Sequence, residues 1–362
     1  MWHRIFKRNI LPIGVDLGSS AVKLAQLRVN GDELELIAAG SREIPDSLHN
    51  SHTERLSVIP NIVREILRSQ PFKGNKSILS LPAEATFVQH LRLPRLTPEQ
   101  TTQALRLELH NRIPSDAGDM VIRHIVVGDA PHAEHSQREV IAIAAARSTV
   151  DAYLSMARQA RLDVCDVNIE PVAIVECFAH LLRRASDSDR TIFFLDIGET
   201  TTQVVLAHGI QIAFARNLSI GGRHFDQAIA AGMGISLEEA RALRRSAPHD
   251  QGNTSAKDKL YRLLDDTLDE TAAELTKCII YYRSVFKERN IELAIFLGGQ
   301  AYDRDLCQAI ARRLNLPATI GNPLLGIKRA ESDGLEPPLD QRQPHPDWAV
   351  AVGLSLSSIA PP

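Results

Sequence analysis

Two short segments of the 362-residue chain carry residue types suited to holding phosphate. The apolar run Ile13–Leu17 leads through Asp16-Leu17-Gly18-Ser19-Ser20 into Ala21–Val29, and Phe193–Ile197 leads through Asp196-Ile197-Gly198-Glu199-Thr200 into Thr201–Ala207. The copies lie about half a chain apart, and each reads as a strand, an Asp-x-Gly turn and a second strand. Such a turn aims backbone N–H groups and short hydroxyls at one point, which matches the acceptor oxygens of a phosphate. Lys23, on the second strand of the first copy, can reach back as a point charge to a β- or γ-phosphate. Two such hairpins face to face would clamp a triphosphate, with Asp16 and Asp196 holding Mg²⁺ directly or through water. Taken alone, an Asp-x-Gly is an ordinary strand-end turn and Lys23 an ordinary solvated lysine; the duplication argues for a site.

Two glycine pairs extend the set. Ile291–Leu297 is an apolar strand ending in Gly298-Gly299 ahead of a helix around Asp303–Leu314, so bare backbone can approach a base or ribose. Gly221-Gly222 precedes a helix ending at Met233, whose N-terminus suits a phosphate or ribose. Either pair can equally be a tight strand–helix connection.

The elements that must position these residues follow from turns and periodicity. Asn30-Gly31-Asp32 before Leu34–Ala38 and His208-Gly209 before Ile210–Phe214 predict that each half opens with an antiparallel meander. Thr97-Pro98-Glu99-Gln100 supplies a cap, a first-turn proline and a box-closing Gln for a helix that stops near Ile113-Pro114. Helices are also expected at Thr149–Arg161 and Asp226–Met233, and one long helix over Leu260–Lys287. The segments Asp129–Arg138, Ser246–Asp258 and Glu331–Asp347 lack an apolar period and read as loops.

Composition narrows the class. With 44% hydrophobic and 23% charged residues the chain has the balance of an ordinary folded protein, and a net charge of −3 gives no global attraction to nucleic acid or anionic lipid. The longest apolar runs, Val140–Ala146 among them, are far below the ~20 residues that span a bilayer, and no signal-peptide h-region follows the basic leader Met1–Asn9. A cytosolic location without a transmembrane segment is expected. Cys165, Cys177, Cys278 and Cys307 are scattered and read as reduced residues. His49/His52 and His132/His135 lie in polar, loop-like stretches with no acidic or Cys cluster near them, and no G-x-S-x-G or P-loop sequence is present.

These motifs together resemble the actin-like nucleotide-binding superfamily, which includes actin, DnaK-type chaperones, sugar kinases and FtsA. Asp16–Ser20 with Lys23 looks like its phosphate-1 hairpin, Asp196–Thr201 like phosphate-2, and Leu297-Gly298-Gly299 like its adenosine motif. Asn168–Ala173 is similar to the connecting stretch whose Glu or Gln orients the water attacking the γ-phosphate, which implies that role for Glu170. The plain alternative is an acidic first-turn residue ahead of Pro171.

Within the superfamily the chain resembles the PilM family of type IV pilus assembly proteins. The resemblance rests on Ile13–Leu27, on Leu91–Pro94 with Glu99, Arg106–Glu108 and Ile113-Pro114, on Gly221-Gly222-Arg223 with Phe225-Asp226, on Glu274–Lys277 with Tyr281-Tyr282, and on Gly321–Leu324. It places Glu274 and Lys277 beneath the nucleotide. Arg123-His124 and Ser115 depart from the family pattern in an inserted subdomain, which touches partner specificity more than nucleotide binding. The implied architecture is an α/β, actin-like (ribonuclease H-like) two-domain fold around a nucleotide cleft, with an FtsA-like insertion. The first domain would span 10–190, with the insertion at about 86–165 and a closing helix at 348–360, and the second 191–345. The resemblance further implies an ATP- and Mg²⁺-binding scaffold with slow or absent hydrolysis. It would dock the N-terminal tail of the inner-membrane protein PilN, and so sit peripherally at that membrane beside other pilus assembly proteins. By analogy the groove lies between the first domain and the insertion, lined partly by Arg92-Leu93 and Leu105–Ile113. The alternatives are an actin-fold ATPase or small-molecule kinase, and a GspL-like component of type II secretion.

Overall fold

The structure is a computed structural model that describes residues 9–49, 51–110, 119–129, 137–182, 184–246, 254–287, 289–330, 339–340 and 342–358. Residues 1–8 of the leader, Ile113-Pro114, Ser115, His132/His135 and much of the three expected loops lie outside the described residues.

The strands of the first half are β1 (Asn9–Ile10), β2 (Ile13–Leu17), β3 (Ala21–Asn30), β4 (Glu33–Glu43), β5 (Lys76–Leu81) and, after an insertion, β9 (Asp163–Ile169). Their helices are α1 (His52–Ser69), α3 (Arg147–Gln159) and α4 (Glu170–Ala179). The insertion holds β6 (Phe87–Pro94), α2 (Pro98–His110), β7 (Met120–Asp129) and β8 (Gln137–Ala146). The second half contains β10 (Thr191–Ile197), β11 (Thr202–His208), β12 (Gln211–Leu218), α5 (Gly222–Met233), α6 (Leu237–Ser246), α7 (Thr254–Arg262), α8 (Asp265–Val285), β13 (Ile291–Leu297), α9 (Arg304–Leu314) and β14 (Ala318–Ile320). Strand β15 (Ile327–Arg329) and helix α10 (Ala349–Leu356) return to the first half.

The duplication read from the two Asp-x-Gly turns is a duplication of topology. In the first sheet β4-β3-β2 form an antiparallel meander, and β5 and then β9 add in parallel on the other side of β2. In the second, β12-β11-β10 form the same meander, and β13 and β14 add in parallel beside β10. Strands β2 and β10 are thus central, and their residues are buried on both faces, as their continuous apolar runs require.

Helix α10 reads Ala-Val-Ala-Val-Gly-Leu-Ser-Leu, apolar all round, and is buried all round. It packs between β2 and α4, and both contacts depend on missing side chains. A Cβ on Gly14 would stand 2.0 Å from the Ala351 carbonyl oxygen, and one on Gly353 would stand 1.8 Å from that of Ala173. Ser355 makes the seam polar as well: its Oγ donates to the Pro12 carbonyl (2.8 Å) and accepts from the Leu27 N–H (3.2 Å).

The insertion is a three-stranded sheet, β6-β8-β7, covered by α2 through Leu105 and Leu109. Thr97 and Gln100 form the expected capping box, with the Thr97 hydroxyl on the Gln100 N–H (3.3 Å) and the Gln100 amide oxygen on the Thr97 N–H (3.0 Å). The insertion also touches the second half. His90 of β6 accepts from the Ala215 N–H (3.2 Å), its ring stacks on Phe214, and the buried Glu139 carboxylate of β8 takes Arg92 (3.0 Å) and the Tyr281 hydroxyl of α8.

Three sequence expectations change. The long helix over 260–287 breaks at Leu263-Leu264 into α7 and α8, because both residues close tight turns onto Leu260 and Tyr261 and Asp265-Asp266 restart the helix with favourable acidic charge. Part of the loop expected over 246–258 is helical, since α6 includes Ser246 and α7 begins at Thr254. His49 is not in a polar loop but buried, with Nε2 against the Ile44 carbonyl (2.8 Å), and His52 opens α1.

Candidate functional site

Register brings the expected residues together. Asp16 pairs across β2–β3 with Lys23, and Asp196 pairs across β10–β11 with Gln203, so the two halves present the same arrangement with one cation replaced by an amide. Asp196 is also level with Leu297 of β13, which delivers Gly298 beside it. The hairpins meet: Thr200 Oγ1 donates to Ser19 Oγ across 3.2 Å.

Between them lies a cavity of about 450 Å³ bordered by Asp16, Gly18, Ser19, Ser20, Lys23, Glu170, Asp196, Gly198, Thr201, Gly298 and Gly299, all of which the sequence nominates. Its wall includes residues that sequence reasoning missed. Ser41 and Glu43 come from β4, Arg244 and Arg245 from the end of α6, Gln300, Tyr302 and Asp303 from the turn after β13, and Asp347 and Val350 from the entry to α10. Gln203 was open to discovery, since it occupies the position of Lys23 in the second copy. Asp347 carried no local signal, yet its Oδ2 lies 3.4 Å from Lys23 Nζ while its Oδ1 accepts from the Tyr302 hydroxyl at 2.7 Å.

Four nominated residues play other parts. The N–H groups of Gly222 and Arg223, in the first turn of α5, donate to the Gly198 and Glu199 carbonyls (2.9 Å each), so this helix terminus is occupied by the second hairpin rather than open to a phosphate. The absent side chains of Gly221 and Gly222 instead let the Glu199-Thr200 backbone and the Gln300 side chain pack close. Glu274 and Lys277 do not border the cavity. They pair with each other, Glu274 lies 3.7 Å from Arg216 of β12, and the buried face of α8 is carried by Leu275, Ile279 and Tyr282. In the insertion, Leu105 and Leu109 are core residues, whereas Leu93 borders a crevice of about 150 Å³ with Pro94, His124 and Val126.

An ion-pair network, buried except for the exposed Asp46 carboxylate, closes one side of the cleft. Arg241 of α6 donates to Glu199 (2.5 Å), to Asp226 (3.3 Å) and to Asp46 of the first half (2.7 Å), and Arg244 adds a bond to Asp226 (2.6 Å). Charge inside the cleft is unbalanced. Burial pushes the Asp16 carboxyl up to about 6 against the pull of Lys23, with Asp347 adding to the rise. Burial and then the neighbouring Asp16 push Asp196 up to about 7. Glu170, whose Oε2 accepts from Gln203 at 2.5 Å, is raised well above the usual carboxylate range by burial and by both aspartates. Burial alone would lower Lys23, but Asp347, Asp16 and Asp196 outweigh it and raise it.

These shifts set a pH dependence. In the unfolded chain Asp loses its proton near ~3.9. In the folded cleft Asp16 and Asp196 keep theirs to about 6 and about 7, so the folded state binds more protons in between. Their contribution to stability therefore falls as pH rises from ~4 to about 7. Ligand-free protein is expected to melt progressively lower from pH 5 to 7.5, and Asp196→Asn to flatten that slope; an equal slope in the variant would refute the assignment.

Among the described residues no three His, Cys, Asp or Glu side chains converge as a metal-binding group, and no helix is long and apolar enough to cross a membrane. The profile of the family described as type IV pilus assembly protein PilM matches residues 14–359. A solved PilM–PilN type IV pilus biogenesis complex superposes with a TM-score of 0.79 at 23% identity, over 97% of this chain and 99% of the solved one. The ethanolamine utilization protein EutJ from Carboxydothermus hydrogenoformans superposes with a TM-score of 0.54 at 14% identity, over 96% of this chain and 89% of its own. The repeated five-strand order and the cleft between its copies are those of the actin-like fold, and the chain belongs to the PilM family of type IV pilus assembly proteins.

Proposed function

We propose that this chain is a type IV pilus assembly scaffold that binds ATP with Mg²⁺ in the cleft and docks the N-terminal tail of a PilN-like inner-membrane protein. The observation that carries the nucleotide reading is the meeting of the two hairpins, with Ser19 and Thr200 in contact above a cavity walled by Asp16, Lys23 and Asp196. The residues fit the ligand: the raised carboxyls mark a site short of positive charge, which a divalent ion supplies. Mg²⁺ keeps several waters and takes one or two carboxylates plus phosphate oxygens, so it needs no cluster of three protein ligands. Ser19, Ser20, Thr201 and the backbone around Gly18 and Gly198 would hold phosphate oxygens, and Gly298-Gly299 would lie against the nucleoside.

In this reading Glu170 and Gln203 would orient a water: both residues border the cavity, and Gln203 Oε1 is buried without a partner. Turnover in this reading is slow or absent, and membership of a pilus assembly family favours a scaffold over a fast ATPase or kinase. We assign residues 10–190, with the insertion and α10, to one domain and 191–345 to the other. The partner links the chain to the membrane, and the family membership and the fold of the solved complex support that reading.

Calorimetric titration with ATP and Mg²⁺, and with a peptide of a PilN-like tail, tests both parts. Binding of ATP that Asp196→Ala weakens at least about tenfold, together with binding of the peptide, is expected. No ATP binding to the parent chain, or unchanged affinity in the variant, would overturn the nucleotide reading, and absence of peptide binding the docking.

A further inference from the structure

One acceptor in the cleft has no part in holding phosphate. Asp303 caps α9, just after the Gly298-Gly299 turn, and is 6% exposed. Its Oδ1 accepts from the Leu306 N–H at 3.0 Å and from the Tyr261 hydroxyl. Its Oδ2 is buried and has no partner, although the residue borders the cavity. Among the described residues two that border this cavity carry a buried atom without a partner, Gln203 at Oε1 and Asp303 at Oδ2, and of the two only Asp303 has a carboxylate. The other Asp on this side of the cleft, Asp347, has both oxygens engaged, by Lys23 and Tyr302.

A carboxylate oxygen without a donor is costly to bury, and such atoms in folded proteins call for an explanation. It can only accept, so it repels a phosphate, which also only accepts. What it suits is an N–H or O–H group. On a nucleotide these lie at the other end from the phosphates, on the ribose hydroxyls and the base edge. We propose that Asp303 is the specificity-determining residue of the cleft, its Oδ2 accepting one hydrogen bond from the nucleoside. This rests on the nucleotide reading above and adds the element that selects among nucleotides. Arg244 and Arg245, which border the same cavity, do not compete, since as donors they leave reading of a donor group to Asp303.

Asp303→Asn is the discriminating variant. Asn caps helices as well as Asp, and its oxygen can keep both the Leu306 N–H and the Tyr261 hydroxyl. Its NH₂ then stands where Oδ2 stood and confronts the ligand's donor. Affinities of the full chain are to be measured for ATP, 2′-deoxy-ATP, 3′-deoxy-ATP, inosine triphosphate and inorganic triphosphate, all with Mg²⁺. The parent chain is expected to bind one nucleoside analogue about tenfold more weakly than ATP, and which one identifies the donor as a ribose hydroxyl or the exocyclic amine. Asp303→Asn is expected to lose that discrimination, to bind ATP about tenfold more weakly, and to bind inorganic triphosphate as the parent does. Equal affinity of the parent for all four nucleotides, or discrimination unchanged in the variant, overturns the assignment while ATP binding sensitive to Asp196→Ala leaves the nucleotide reading standing. A parent chain that binds no ATP overturns both.

Discussion

Gly353→Ala is expected to destabilise the folded chain by about 4 kcal/mol or more in chemical denaturation, which puts it among the exceptional single substitutions. The added methyl would meet the Ala173 carbonyl oxygen at 1.8 Å, its carbon at 2.6 Å and the Cys177 amide nitrogen at 3.1 Å. All three are backbone atoms of α4, so no rotamer change relieves the overlap and one helix must move. Both helices are held from behind. Helix α10 lies against β2, where Gly14 allows an equally close approach, and α4 packs into the main core through Ile174, Cys177 and Phe178. Propensity alone would favour Ala over Gly inside a helix by about 1 kcal/mol, so the sign of the expected change comes wholly from packing. Gly234→Ala is the matched control: it caps α5 at φ +66° with nothing within 4 Å, and its expected cost is about 1–2 kcal/mol of backbone strain. A Gly353→Ala loss no larger than that of Gly234→Ala would mean the helices are free to separate.

The second large effect is on binding rather than on folding. Gly298→Ala is expected to weaken ATP–Mg²⁺ binding by about 100-fold or more, roughly 2.7 kcal/mol. Gly298 has φ +82°, and a Cβ there would stand 2.4 Å from Asp196 Oδ1 and 2.4 Å from the Ile197 carbonyl oxygen. With ψ 176° this is a backbone conformation essentially reserved for glycine, costing any other residue about 1–3 kcal/mol, and the overlap forces Asp196 away from the Asp16 and Lys23 side of the cleft. Gly74→Ala, at φ +73° with nothing within 4 Å of a Cβ and away from the cavity wall, separates this from the backbone strain alone. Titration of both variants with ATP and Mg²⁺ decides the matter, and a loss below about threefold in Gly298→Ala would show that the position of Asp196 is immaterial to binding.

How far the site was legible depended on the distance over which each feature is decided. The two Asp-x-Gly hairpins were readable because a turn is specified by the few residues within it, and the strand register then places Lys23 opposite Asp16 and Gln203 opposite Asp196. The capping box at Thr97 and Gln100 was readable for the same reason. The helix over 260–287 was misread as continuous because its apolar spacing runs through Leu263 and Leu264 while the chain turns there. Glu274 and Lys277 were placed at the cleft, yet which neighbour each face of α8 meets depends on how the helix rolls against the second sheet, a matter of packing.

The sequence by itself determined the doubled hairpins, the absence of a long apolar helix-forming run and the family. Local hydrogen bonding and side-chain period carry those properties. Only the tertiary structure decided that Asp347 neutralises Lys23, that the first-turn N–H groups of α5 are taken by Gly198 and Glu199, and that Asp303 keeps an oxygen free beside the cavity. Each of these depends on groups from elements far apart in the chain. Their burial and their partners are set when β2, β10, β13 and α10 pack around one cleft, and no local rule states which charges will then be left without a partner.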